Sequence, residues 1–168
     1  MRRSKLVKPA ELLVAVRCSH KKMKTMQITS SVIIERPLAD VESYLTDISN
    51  DRVWQEDVIE SAVTTSGPIG KGTAGYEVRS VMGFPVRTEW KITSYRPGTS
   101  CTFASTDSVI PYEGTIEFAD EDGATRVTYR FTMSPEGIAA LFDPLIGWGF
   151  EPRFRRNLEH LKELLERS

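Results

Sequence analysis

The 168-residue sequence has few of the residue types that usually carry catalysis or metal binding. Its only histidines are His20 and His160, and its only cysteines are Cys18 and Cys101. Two cysteines in such different settings make no disulfide framework, so we expect a reducing, cytoplasmic location. The body of the chain offers no Ser-His or Cys-His pair and no His/Cys cluster with metal-ligand spacing. We therefore predict no catalytic residues, no metal and no cofactor.

Long apolar runs are also absent, since no stretch approaches the ~18 apolar residues of a membrane-spanning helix. We expect no integral membrane association. The net charge of -1 is unevenly distributed, because residues 1–26 carry +7 and the remainder carries -8. An acidic body repels nucleic-acid phosphates, so nucleic acid is excluded as a partner.

Residues 1–26 are predicted to be a disordered basic extension, followed by one domain over residues 27–168. Their apolar stretch, residues 12–16, ends at Arg17 and is shorter than the ~7–15 residues of a secretory signal. Two alternatives remain open for this segment. It precedes the true start, with Met23 or Met26 as the first residue, or it has a targeting or anionic-surface role.

The domain has the patterns of an α+β fold with a seven-stranded antiparallel sheet. Alternation of apolar and polar residues marks most of the strands, and spacings of three and four mark the helices. A short helix is predicted over residues 38–48, with a second helical turn carrying Val53 and Trp54. The predicted strands are 27–35, 58–65, 76–82, 86–92, 101–105, 112–118 and 126–131. Asp122-Gly123 is a strong hairpin signal, and the glycine-rich loop 67–72 is a turn rather than a phosphate cradle.

Strict alternation means that one face of the sheet is buried and the other is wet. In the third strand we expect Tyr76, Val78, Ser80 and Met82 inward, with Glu77 and Arg79 outward. Glu56-Asp57 and Glu113 are interpreted as solvated surface, and Asp107 is placed near a pocket mouth.

A long C-terminal helix covers the inner face. Its apolar stripe comprises Ile138, Leu141, Phe142, Leu145, Ile146, Phe154, Leu158, Leu161 and Leu165. Gly147-Trp148-Gly149 and Pro152 predict a kink or interruption. The alternatives are a gate around Trp148, or a simple loop before a helix that begins at Pro152.

One helix is only ~10–12 Å wide and cannot fill the concave face of a curved sheet. We therefore expect a cavity with aromatic walls and a few hydroxyls, the usual chemistry of a small-molecule site. The candidate ligand-binding residues are Trp54, Tyr76, Ser80, Thr88, Trp90, Phe103, Tyr112, Tyr129, Phe131, Phe142, Ile146 and Trp148.

The sequence resembles the START-like (SRPBCC) superfamily of the helix-grip fold, in its polyketide cyclase/dehydrase and lipid-transport group. The resemblance covers about residues 27–166 and is carried by segments 33–41, 46–47, 90–98 and 125–129, together with Trp54. It implies a curved sheet around a long C-terminal helix, with two short helices after the first strand. It also implies a hydrophobic pocket gripped by that helix.

Three functions follow from this resemblance and the residues. The favoured one is binding or transport of a hydrophobic small molecule, lipid or polyketide-like, by a monomer or homodimer without enzymatic activity. The second is a metal-free polyketide cyclase or dehydratase. The third is a protein-interaction module of the ribosome- or chaperone-associated type, with Trp148 as its anchor.

Overall fold

The computed structural model describes residues 25–81, 83–108, 110–134 and 143–167, with side chains from Pro152 onward in the last range. One antiparallel sheet has the strand order β1-β7-β6-β5-β4-β3-β2. The elements are β1 (Met26–Ile34), α1 (Leu38–Thr46), a 3-10 turn (Ile48–Asn50), α2 (Asp51–Trp54), β2 (Val58–Val63), β3 (Ala74–Val81), β4 (Phe84–Arg96), β5 (Ser100–Asp107), β6 (Tyr112–Glu121), β7 (Ala124–Met133) and α3 (Asp143–Arg167). The predicted seven-stranded sheet with its C-terminal helix is confirmed.

The short helices carry the chain from one edge of the sheet to the other. β1 pairs with β7 at one edge, whereas β2 pairs with β3 at the opposite edge. From β2 onward, each strand pairs with its successor, as in a meander. The β6–β7 hairpin has positive φ at both Asp122 (54°) and Gly123 (96°), which is the signature of the type I′ turn that Asp-Gly favours.

The apolar core lies where α3 packs against the β1–β7–β6 side of the sheet. Its most deeply buried members are Ile34, Val41, Val127, Leu158 and Leu161, each at most 1% exposed. Full burial of such a side chain contributes about 1.5–3 kcal/mol relative to its exposed state. This cluster holds α3 against the sheet and thereby determines how much space is left between α3 and the remaining strands.

Two predicted helices differ in their bounds. The helix predicted over 38–48 ends at Thr46, because Asp47 caps the 3-10 turn that follows: its Oδ1 accepts a hydrogen bond from Ser49 N at 3.1 Å. At the C-terminus, α3 runs continuously from Asp143 through Gly147, Gly149 and Pro152, so a helix that begins at Pro152 is wrong. The predicted residues Ile138, Leu141 and Phe142, like residues 1–24, lie outside the described part of the chain.

The predicted faces of β3 are wrong, because Glu77 points inward and Tyr76 outward. Gly75 lies opposite Trp90 of β4, and a Cβ at Gly75 would overlap the indole ring that covers it on the inner face. Glu77 follows on the same face, opposite Thr88, and is 7% exposed. On the outer face, the guanidinium of Arg87 lies 3.6 Å from the centre of the Tyr76 ring. The hydrophobic alternation misleads here because the inward positions hold charges that pair with one another.

Candidate functional site

A cavity of about 240 Å³ lies between the inner face of the sheet and α3. Residues of α1, α2 and the segment after α2, such as Leu45, Asp51 and Asp57, complete its lining. Its apolar wall includes Trp90, Ile92, Phe103, Ile116, Phe131 and Phe154. The volume lies just below the ~300–1,000 Å³ typical of small-molecule pockets, which favours a compact ligand. A second, more open groove beside β2 is lined by Ser43, Ser61 and Ala62, among others.

The structure brings half of the predicted ligand-binding residues together around this cavity. The six that line it are Thr88, Trp90, Phe103, Tyr112, Tyr129 and Phe131. Trp54 does not line the cavity but is 2% exposed in the apolar core, where its ring centre lies 6.3 Å from that of Tyr129. Tyr76 and Ser80 face the other side of the sheet, because Gly75, Glu77 and Arg79 occupy the inner face of β3. Phe142 and the side chains of Ile146 and Trp148 lie outside the described residues.

The aromatic side chains of the wall hold one another in place. Tyr112 stacks on Phe131 with ring centres 5.0 Å apart, and Tyr129 meets Phe154 edge to face at 4.9 Å. Such pairs contribute about 0.5–1.5 kcal/mol beyond the area that they bury. Gly114 makes room for Phe103, whose ring would overlap a Cβ at that position. The wall is therefore preformed and apolar.

One part of the cavity lining is charged, and we call it the polar cluster: Asp51, Gln55, Asp57, Glu77, Arg79 and Arg153. Arg79 is at its centre. Its Nε and Nη2 donate to the two carboxylate oxygens of Glu77, each at 2.9 Å, and Nη1 donates to Asp57 Oδ2 at 3.0 Å. Nη2 also donates to Gln55 Oε1 at 2.8 Å. Burial alone would lower the pKa of Arg79, but the charge of Glu77 and its hydrogen bonds raise it above the ordinary value, so the guanidinium stays charged.

The carboxylates of the polar cluster are not fully satisfied. Asp57 is 8% exposed, and its Oδ1 has no hydrogen-bond partner among the described residues. Its other oxygen, Oδ2, accepts the hydrogen bond from Arg79 Nη1 and also lies 3.8 Å from Nη1 of Arg153 on α3. A buried carboxylate oxygen without a partner costs free energy, so this position is maintained at the expense of stability.

Asp51 is the residue of the cluster most able to exchange a proton near neutral pH. Burial raises the pKa of Asp51 to about 7, with a further increase from the charge of Glu77. Arg79, Trp54 and Gln55 oppose this increase because each of them favours the charged form of the carboxyl group. Carboxyl groups with such pKa values are found at proton-transfer sites, although structural ion clusters produce them as well.

Other ionisable groups of the lining are held in their neutral forms. Burial raises the pKa of Cys101 to about 11, with a further contribution from Glu42, so this thiol is a poor nucleophile at neutral pH. Burial and the charge of Glu77 also raise the pKa of the Tyr112 phenol, which donates to Glu77 Oε1 at 3.4 Å. His160 lies away from the lining, with Nδ1 3.3 Å from the carbonyl oxygen of Trp54.

The polar cluster is what sequence reasoning missed. The sequence pattern predicts Glu77 and Arg79 on the solvent face and Asp57 on the surface, and both predictions are wrong because all three side chains line the cavity. Alternating Glu-x-Arg also occurs in reverse as Arg87-x-Glu89 on the outer face, where both side chains are half exposed. The same local pattern therefore serves both faces, and only the position of Gly75 under Trp90 separates them. Among the described residues, no group of three or more His, Cys, Asp or Glu side chains could hold a metal ion.

A curved antiparallel sheet, a long C-terminal helix and a cavity between them define a helix-grip protein of the START-like class. The sequence model of the family described as polyketide cyclase/dehydrase and lipid transport matches residues 25–166. The chain therefore belongs to this family. A comparison with curated protein sequences gives no match. No helix among the described residues is long and apolar enough to cross a membrane.

Several solved structures share this fold with the chain. TTHA0849 from Thermus thermophilus superposes with a TM-score of 0.73 at 21% identity, over 83% of this chain and 97% of the other. A START superfamily protein from Mycobacterium smegmatis gives 0.70 at 9% identity, over 84% and 97%. The di-domain ARO/CYC BexL of the BE-7585A biosynthetic pathway gives 0.69 at 16% identity, over 84% of this chain and 50% of the other. At these identities the likeness concerns the fold.

Proposed function

We propose that this protein binds an apolar small molecule in the cavity between the sheet and α3. The observation that carries the proposal is the cavity itself, about 240 Å³ in volume and walled mostly by aromatic and aliphatic side chains. Protein interiors are normally close-packed, so an internal space of this size lowers stability unless something occupies it. Membership of a family described by lipid transport and polyketide cyclisation supports the same function.

A cavity-filling substitution tests this proposal. Val86 lines the cavity, and Val86→Phe places a ring in it. The control is Val53→Phe, which makes the same change at a 47% exposed residue of α2 that does not line the cavity. Purified protein is examined by native mass spectrometry for co-purified ligand, and by calorimetry with a panel of lipids, aromatic polyketides and simple arenes.

We expect the unmodified protein and Val53→Phe to bind a panel member, and Val86→Phe to lose at least tenfold in affinity. Equal affinities of Val86→Phe and Val53→Phe would place binding elsewhere. Failure of every panel member to bind the unmodified protein would contradict the proposal.

Catalysis as a polyketide cyclase or dehydratase is the second candidate. The observation in its favour is Asp51, which has a pKa of about 7 and lies on the cavity wall beside the cation of Arg79. Such a group can give and take a proton at neutral pH. If it does, Asp51→Asn should abolish turnover of a poly-β-ketone surrogate while leaving its affinity unchanged, whereas a binding protein shows no turnover in either form. The interaction-module alternative rests on the side chain of Trp148, which lies outside the described residues.

A further inference from the structure

Two side chains of α3 that can donate hydrogen bonds line the cavity, namely Arg153 and Asn157. They are four positions apart and therefore lie on the same face of the helix, one turn from each other. Both reach the segment after α2: Arg153 Nη1 lies 3.8 Å from Asp57 Oδ2, and Asn157 Oδ1 accepts a hydrogen bond from Glu56 N at 3.3 Å. The inference drawn from them rests on the proposed function, since it concerns the ligand of the same cavity.

The guanidinium of Arg153 has donors to spare. A guanidinium carries five N–H bonds. The contact of Arg153 with Asp57 is an ion pair that is too long for a hydrogen bond, and among the described residues Arg153 has no hydrogen-bond partner. Asp57 Oδ2 accepts its hydrogen bond from Arg79 Nη1 instead, at 3.0 Å. The side chain of Arg153 is 38% exposed and lines the cavity, so it lies at the rim, where its N–H groups can reach a bound ligand.

Asn157 contributes a second donor, deeper in the wall. The residue is only 4% exposed, and its Oδ1 is occupied by the hydrogen bond from Glu56 N. Its Nδ2 has two N–H bonds and no hydrogen-bond partner among the described residues. In that part of the chain, the side-chain atoms that are both fully enclosed and without a partner are Trp54 Nε1 and Asp57 Oδ1, so Asn157 Nδ2 still borders open space. Because Asn157 lines the cavity, that space is the cavity.

The charges of the polar cluster favour a neutral acceptor over an anion. Its two guanidiniums balance two of its three carboxyl groups, and the third gives the cluster a net charge of -1 when all of them are ionised. A ligand carboxylate would add a further negative charge without bringing a cation, and such a charge is costly in a partly buried site. A carbonyl oxygen accepts the same hydrogen bonds and leaves the balance of charge unchanged.

We propose that Arg153 and Asn157 form a donor site that binds a neutral carbonyl oxygen of the ligand, such as that of a ketone, while the apolar remainder of the ligand fills the cavity. Arg153 donates to this oxygen from the rim, and Asn157 Nδ2 donates from the wall. The two residues then orient the ligand, because a few polar groups in an otherwise apolar pocket determine which way round a molecule binds.

Three naphthalene derivatives of nearly equal size and shape test this preference. 2-Acetylnaphthalene carries the carbonyl oxygen, 2-isopropenylnaphthalene has a methylene group in its place, and 2-naphthoate carries a carboxylate. Each is titrated into the full-length protein by calorimetry at pH 7.5. We expect the ketone to bind more tightly than both the hydrocarbon and the carboxylate.

Variants of the two donors are compared through the ratio of ketone to hydrocarbon affinity, which cancels any general change in the cavity. Arg153→Met removes the donors but keeps a long side chain, so the ratio should fall by roughly tenfold or more. Asn157→Asp keeps an oxygen for Glu56 N and replaces Nδ2 with a second oxygen, so the ratio should fall here as well. Arg153→Lys keeps a charged donor and should retain part of the preference. Arg155→Met is the control, because it removes the same charge from an exposed residue of α3 that does not line the cavity.

The outcomes separate this inference from the proposed function. If neither Arg153→Met nor Asn157→Asp changes the ratio, or if Arg155→Met lowers it as much, the inference is wrong and the cavity still binds apolar ligands. A carboxylate that binds more tightly than the ketone would also contradict the inference, since the site would then select an anion. If none of the three compounds binds, and none of the broader panel does, the proposed function is wrong and the inference fails with it.

Discussion

The two sides of the interior are built on different principles. Beneath the β1–β7–β6 side, α3 places Leu158 and Leu161 against Ile34 and Val127, and all four side chains are at most 1% exposed. Beneath the β3–β4 side, the inner face contributes Glu77 and other polar residues to a cavity whose apolar wall continues along β5, β6 and β7. One side is packed for stability, whereas the other keeps an internal space and buried charges that stability alone would not require.

The apolar core and the polar cluster contribute differently to the free energy of folding. Buried ion clusters contribute little net stability compared with apolar packing of the same volume, because desolvation offsets most of the Coulomb attraction. Aliphatic residues of similar volume at positions 77 and 79 would support folding about as well. The apolar core supplies most of the free energy of folding, whereas the charges at these positions give the cavity its polar wall.

Removal of the central cation of the polar cluster should have the largest effect. Arg79→Met leaves Glu77 and Asp57 buried without their main partner, so we expect a loss of about 3–5 kcal/mol in the free energy of unfolding. Urea denaturation at pH 7 measures it. The matched control is Arg130→Met on the outer face, where the Arg130–Glu117 pair is half exposed and little change is expected. Equal losses in the two variants would show that the cluster is not effectively buried.

The apolar side could be predicted from the sequence, and the polar side could not. Val127, Tyr129 and Phe131 alternate with polar residues as expected. Their inward direction is confirmed, because Val127 and Tyr129 are buried and Phe131 lines the cavity. In β3, burial of Glu77 depends on Arg79, Asp57 and Gln55, which come from two separate segments. A pattern read along one strand cannot show that distant residues neutralise its charges.

The same substitution on both sides tests the contrast in packing. Val127 is fully buried in the apolar core, whereas Val86 borders the cavity and is half-buried. We expect Val127→Ala to cost about 2–3 kcal/mol, since it removes buried methyl groups and leaves a void in a closely packed region. Val86→Ala should cost less than about 1 kcal/mol, because it only enlarges an existing space.

Thermal and urea denaturation of both valine variants provide the measurement. The expected order is a clear loss for Val127→Ala and a small one for Val86→Ala, with ligand affinity changed only in the latter. If Val86→Ala is the more destabilising of the two, the cavity side is as tightly packed as the core, and the comparison fails.

The third prediction concerns the titration of Asp51, which should change the free energy of unfolding by the smallest amount of the three. The pKa of Asp51 is about 7 in the folded protein, against 3.8 ordinarily, because of burial and the charge of Glu77, with Arg79, Trp54 and Gln55 opposing. The folded protein therefore holds this proton more tightly than the unfolded chain does. Its stabilising contribution is complete below about pH 4 and is lost as the pH rises to about 7.

Asp51→Asn removes this dependence, because the amide stays neutral at every pH. We expect the stability of the variant relative to the unmodified protein to increase by about 2 kcal/mol between pH 4.5 and pH 8, allowing for partial exposure of the carboxyl group. Urea denaturation at pH 4.5, 6.5 and 8 measures the difference. A difference that is constant with pH, or that falls as the pH rises, would mean that Asp51 is ionised in the folded protein throughout this range. The charge of Arg79 and the hydrogen bonds of Trp54 and Gln55 would then outweigh the effect of burial on the pKa of Asp51.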